Sequence, residues 1–172
     1  MTVAPGSGYA ILSHSSMSEV PTSDVVELPS LRVVRNVASN ADVQSRVNAL
    51  GMKPEFLQIP TGSGKTMLYA YRILPPDFDS SKRYPVLLYV YGAPSSLTVE
   101  DSWGGSRLLW HEMLAQKGYI VMSVDSRGNG WRGRDWRKIT QNNVGIMESD
   151  DQIAAAKWIG GQRWADPSRI GI

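Results

Sequence analysis

At 172 residues, 42% hydrophobic and 20% charged, the chain has room for one ordinary domain and little more, and its composition excludes disorder as the whole answer. Eighteen Lys and Arg against sixteen Asp and Glu leave a formal charge of +2, too small to point to a polyanionic partner. The absence of cysteine excludes disulfides, thiolate metal sites and a cysteine nucleophile, and two histidines leave a zinc site poor in ligands, so no cofactor or metal is expected.

The first 37 residues read as short β pieces, Tyr9–Leu12, Asp24–Leu28 and Leu31–Val37, separated by Pro21, Pro29 and serine-rich joins. So few strands cannot close a sheet alone, and they are expected to be the tail of a larger all-β array. From Ala38 the pattern changes. Asn40 or Asp42 can N-cap a short helix whose Val43, Val47 and Leu50 share a face, with Gly51 just past its end. Glu55–Ile59, a turn at Thr61–Gly64 and Met67–Leu74 follow.

After Pro75 and Pro76 strands and helices alternate. Pro85–Tyr91 is continuously apolar, as a strand covered on both faces should be. Ser106–Lys117 carries Leu109, Trp110, Met113 and Leu114 at helical spacing and stops at Gly118. Tyr119–Val124 is a second apolar strand. A second helix opens at Ser149 or Asp150, with carboxylates at the positive end of its dipole and Ile153, Ala156 and Ile159 facing inward. It stops at Gly160-Gly161, and Arg169–Ile172 begins a third strand. This β-α-β-α-β order predicts a parallel sheet with right-handed crossovers. Because residue 172 falls four residues into that strand, the chain is expected to be a piece of a longer protein.

The apolar run Val86–Tyr91 is far too short for a membrane span, and the first residues have neither the basic nor the apolar part of a signal peptide. The chain reads as soluble, with cytoplasm and periplasm fitting equally.

Three motifs invite a functional claim. Pro60-Thr61-Gly62-Ser63-Gly64-Lys65-Thr66 carries the last five residues of a phosphate-binding P-loop, the basis of a competing nucleotide-binding reading. Ile59 stands where that loop needs a small residue, and aromatic, β-branched residues follow where it needs a helix. A β-hairpin with a Gly-Ser-Gly tip fits better. Arg127–Lys138 interleaves arginine with glycine and tryptophan, as a nucleic-acid surface does. A loop whose arginines pair with Glu148, Asp150 or Asp151 suits the low net charge better, so no nucleic-acid partner is expected. Tyr91-Gly92-Ala93-Pro94 ends the first parallel strand. In α/β-hydrolases that loop supplies half of the oxyanion hole, and the nucleophile follows a later strand. By order alone, an ordinary strand-end turn remains open beside it.

Tyr84–Pro94, Gly118–Val121, Asp125–Gly128, Met147–Ala156 and Asp166–Ile172 form a series that resembles, in order and spacing, the prolyl oligopeptidase family of serine peptidases, most closely its dipeptidyl peptidase IV branch. Tyr9–Ser16 and Pro21–Leu28 resemble, more weakly, the end of that branch's β-propeller. The resemblance implies residues 1–37 as the C-terminal edge of a propeller and residues 38–172 as the N-terminal half of an α/β-hydrolase domain. It implies a serine exopeptidase acting on peptide substrates through an acyl-enzyme and releasing dipeptides with proline or alanine in the penultimate position, and it leaves room for a homodimeric parent. Tyr91 maps onto the tyrosine of the family's Tyr-x-x-Pro motif, whose phenol donates to the oxyanion. Ala93 departs from the glycine usual in this branch, and a positive φ there would be strained. The Ser, Asp and His of the triad are implied beyond Ile172, so this chain alone is expected to be inactive. Gly104-Gly105-Ser106-Arg107-Leu108 fails the nucleophile pattern at its last position. In that order the histidine comes last, so His14 is expected to be a propeller-strand residue and His111 a helix-surface residue, neither of them the base.

Overall fold

The structure, a computed structural model, describes residues 1–91 and 96–172. The chain divides into two compact units, Met1–Gly51 with Asp101–Leu108, and Met52–Glu100 with Leu109–Ile172.

The first unit is an antiparallel sheet of β1 (Thr2–Val3), β2 (Tyr9–His14), β3 (Thr22–Glu27) and β4 (Arg32–Ala38), paired in sequence order. The central strand β3 buries Val26 completely, while β4 lies at the edge with Val33, Val34 and Val37 about half exposed. His14 ends β2 and stands 3.6 Å from Asp24 on the neighbouring strand, a strand residue as expected. The helix α1 (Ala41–Leu50) buries Val47 but leaves Val43 at the surface. Asn40 occupies the N-cap position without capping. Its backbone is left-handed and its amide donates to the Pro21 carbonyl at 2.6 Å.

The second unit holds a five-stranded sheet ordered β5 (Lys53–Pro60), β6 (Met67–Leu74), β8 (Ile120–Val124), β7 (Tyr84–Tyr89) and β9 (Ala165–Gly171). β7 pairs parallel with both β8 and β9, as the strand-helix alternation predicts. The parallel sheet expected from that alternation is extended on the other side, because β6 joins β8 antiparallel and brings its hairpin partner β5 with it. The sheet is therefore mixed. An apolar strand advertises burial in its composition but not which neighbour it will pair with.

All five residues of β8 are buried, which suits a central strand covered on both faces. Ile59, Leu68, Ala70, Val86, Leu88, Ile120, Met122 and Val124 form the core of this unit with Ala155 and Ile159 of α4 (Ile146–Gly160). The remaining helices are α2 (Gly105–Gln116) and the short α3 (Arg134–Lys138). Among the described residues no helix is long and apolar enough to cross a membrane.

Two helix faces differ from expectation. In α2, Leu109, Trp110 and Met113 are exposed, whereas His111 and Glu112 are each 1% exposed. His111 is thus a buried residue and not a surface one. Its ring lies 5.1 Å from that of Tyr89, and Nδ1 is 3.4 Å from the Tyr71 hydroxyl. Burial pushes the neighbouring Glu112 carboxyl above its ordinary pKa. In α4 the start is Ile146, three residues before the predicted cap. Glu148 reaches back to accept from the Gly145 amide at 2.9 Å. Ile153 is 53% exposed, while Asp151, Gln152, Ala155 and Ile159 face inward.

β9 opens with a turn that its own side chains tie. Asp166 accepts from the Ser168 hydroxyl at 2.6 Å, from Arg169 Nε at 2.7 Å and from the Ser168 amide at 3.0 Å. These donors stabilise the carboxylate and lower its pKa from 3.8 to about 2. A depressed folded-state value means the turn's contribution is whole above the ordinary carboxyl range and is lost as pH falls through about 2. Carboxyl-carbon NMR should therefore find a midpoint near 2 for Asp166, moved upward by Ser168→Ala. A midpoint at the ordinary 3.8 in the unaltered protein would contradict the geometry.

Candidate active-site edge

In open α/β sheets the carboxyl ends of parallel strands are where ligands and catalytic groups gather. Here that edge is formed by the ends of β7, β8 and β9. Tyr91 lies two residues past the end of β7 and is 54% exposed. Gly92, Ala93 and Pro94, including the glycine-to-alanine departure, lie outside the described residues. A cleft of about 290 Å³ opens beside this edge, lined by Leu87, Leu88, Tyr89, Val90, Trp110 and Ile172.

Beneath the edge runs a set of buried polar groups that sequence reasoning missed. Ser123, the one polar residue in β8, donates from Oγ to the Tyr89 carbonyl at 2.7 Å. The Thr98 hydroxyl is 2.7 Å from Ser123 Oγ and 3.0 Å from Asp125 Oδ1. Asp125 also accepts from the Thr98 amide at 2.9 Å and the Val99 amide at 3.3 Å. A serine in an otherwise apolar strand, followed two residues later by aspartate, was the available signal. Its partners at residues 89, 98 and 99 could not be read from local sequence.

The segment after β8 is pinned to α4. Asp151, whose side chain is fully buried, accepts from the Arg127 amide at 2.8 Å, from Nε at 3.0 and 3.1 Å and from Nη2 at 2.6 Å. The carboxylate raises the arginine's pKa further. Gln152 donates 2.8 Å bonds to the Val124 carbonyl and to Ser126 Oγ. Gly128 in this loop has φ +94°, and a Cβ there would stand 2.6 Å from the Thr140 methyl, so the tight path requires glycine.

The other two motifs take ordinary structural roles. Thr61–Thr66 closes the β5–β6 hairpin, with the Thr61 amide donating to the Thr66 carbonyl at 2.8 Å and the Gly64 amide to the Thr61 carbonyl at 2.8 Å. No helix follows Thr66, so the phosphate-cradling geometry is not built. In the arginine-rich loop, Arg127 is held by Asp151, one of the three carboxylates expected to pair there. Arg132 sits 3.8 Å from the Trp136 ring centre and 4.7 Å from that of Tyr69, and donates to the Met67 carbonyl at 2.7 Å. Trp131 is 88% exposed.

The whole described trace superimposes on the crystal structure of Porphyromonas gingivalis dipeptidyl peptidase 4 with a TM-score of 0.91 at 38% identity, covering 100% of this chain and 24% of that one. A model of the prolyl oligopeptidase family matches residues 109–172. The chain is thus similar to the prolyl oligopeptidase family of serine peptidases. Within that family it is related to the dipeptidyl peptidases. The dipeptidyl-aminopeptidase B of Aspergillus niger is 35% identical over 169 residues, 97% of this chain and 18% of that protein. The chain thus spans less than a fifth of the length of the curated relatives it matches.

Proposed function

We propose that this chain is the part of a dipeptide-releasing serine exopeptidase that joins the edge of a β-propeller, residues 1–37, to the N-terminal half of an α/β-hydrolase domain, residues 38–172. The observation that carries the reading is the position of Tyr91 at the carboxyl end of β7, in a trace that follows dipeptidyl peptidase 4 at a TM-score of 0.91. The antiparallel sheet β1–β4 and the parallel set β7, β8 and β9 support the two-part division.

On this reading the substrate is a peptide with a free amino terminus and proline or alanine in the penultimate position. A serine beyond residue 172 attacks the scissile carbonyl, a histidine takes its proton and returns it to the leaving amine, and an aspartate orients the histidine. As the carbonyl carbon becomes tetrahedral, negative charge develops on its oxygen. The Tyr91 phenol donates to that oxygen from the β7 side, opposite an amide at the nucleophile's turn. The dipeptidyl acyl-enzyme is then hydrolysed by water.

Lacking the triad, the 172-residue chain should neither cleave a Gly-Pro anilide nor be labelled by a fluorophosphonate. The full-length protein should do both. Turnover by the pure 172-residue chain would overturn the triad's placement, and a full-length protein resistant to the label would overturn serine catalysis.

A further inference from the structure

We infer that Thr98, Ser123 and Asp125 are positioning residues for Tyr91: together they hold both ends of the segment that carries it. This inference rests on the oxyanion role proposed for Tyr91.

Tyr89 ends β7 two residues before Tyr91, and Thr98 and Val99 lie seven and eight residues after Tyr91. At the Tyr89 end, the Ser123 hydroxyl holds the Tyr89 carbonyl at 2.7 Å. At the Thr98 end, Asp125 holds two successive amides, Thr98 N at 2.9 Å and Val99 N at 3.3 Å. The Thr98 hydroxyl joins the two ends, 2.7 Å from Ser123 Oγ and 3.0 Å from Asp125 Oδ1. Thr98, Ser123 and Asp125 are 9%, 0% and 5% exposed, so water cannot readily replace a lost member. Two hydroxyl protons serve three short contacts: losing the Ser123 hydroxyl takes the side-chain donor from the Tyr89 carbonyl, and losing the Thr98 hydroxyl breaks the link between Ser123 and Asp125, which keeps its two amide donors.

The anchor itself is rigid. Ser123 and Asp125 lie at the end of β8, whose pairing with β7 includes Ser123 opposite Tyr89, and the Asp125 amide is bonded to the Tyr69 carbonyl of β6 at 2.9 Å. The Tyr91 phenol makes its catalytic contact only with charge that develops in the transition state, so a shift of its backbone is read in kcat. Side chains that touch neither substrate nor nucleophile can therefore control the rate through the placement of one donor.

The test uses the full-length enzyme and a proline dipeptide anilide, in a double-mutant cycle. Thr98→Val keeps the side-chain shape and removes the hydroxyl. It should lower kcat by roughly ten- to a hundredfold, the scale of a misplacement approaching one ångström, with KM changed by less than about twofold. Thr98→Ser restores the hydroxyl and should restore kcat. In a Tyr91→Phe background, Thr98→Val should have little further effect, because the donor it positions is already gone. Ser123→Ala, read in the same cycle, covers the case in which Thr98→Val does not fold.

Equal losses from Thr98→Val in both backgrounds would overturn the inference, since the threonine would then act independently of Tyr91. So would an unchanged kcat in Thr98→Val beside a large loss in Tyr91→Phe, which leaves the oxyanion role standing. A silent Tyr91→Phe is a distinct result: it removes the oxyanion role, and the positioning role with it.

Discussion

Replacing Tyr91 by Phe in the full-length enzyme is expected to lower kcat by about 10²–10³ while KM stays nearly constant. The substitution removes one hydroxyl and keeps the ring. Tyr91 is 54% exposed and lies outside the buried core of its unit, so deleting the oxygen leaves no buried acceptor stranded and should not disturb packing. A donor aimed at the oxyanion acts on charge absent from the ground-state carbonyl, which directs the loss to turnover rather than binding. If Tyr91 merely ended a strand, the phenol would face solvent and turnover would hold. Steady-state kinetics on a proline dipeptide substrate separates the two. A kcat within about threefold of the unaltered enzyme, far below the usual donor-loss range, assigns Tyr91 to the surface and removes it from the mechanism.

The position of Tyr91 was legible because it depends on order along the chain. An apolar run, a small-residue loop, a helix and another apolar run define a strand's carboxyl end without knowledge of any tertiary contact. The hairpin around Gly62–Lys65 was legible for a similar reason, since the residues after Thr66 are strand formers and not helix formers. The join between β6 and β8 was not legible, because periodicity reports a strand's burial and is silent about its partner.

Helix faces failed in a more instructive way. Reading an amphipathic face assumes that polar residues point outward. In α4 the inward face carries Asp151 and Gln152, each satisfied by groups at the end of β8: the Arg127 guanidinium and amide, the Val124 carbonyl and the Ser126 hydroxyl. Ile153 is then turned outward. In α2 the same inversion buries His111 beside Tyr71 and Tyr89 and exposes Trp110. Both helices depart from the pattern where they support the carboxyl edge of the sheet. There polar anchoring of loops outweighs the burial of one more apolar side chain.

That anchoring leads to the largest stability effect expected in the unit. Asp151→Ala should destabilise the folded protein by about 3–5 kcal/mol, because it removes the fully buried end of an ion pair and strands the Arg127 guanidinium and amide that it held. The lost carboxylate had accepted from the Arg127 amide and from two guanidinium nitrogens, at 2.6 to 3.1 Å. The amide would keep its place against α4 with no acceptor, and the guanidinium, only 22% exposed, would reach water on one side alone. Partial access favours the lower part of the range. Removing both charges together, as Arg127→Met with Asp151→Leu, should recover much of the loss, since an apolar pair of similar volume avoids the uncompensated charge. Urea unfolding followed by the fluorescence of the tryptophans in this unit would measure both variants. A loss below about 1 kcal/mol in Asp151→Ala, the scale of an exposed pair, would mean that water already shares the site and that the loop after β8 is held by Gln152 and the backbone instead.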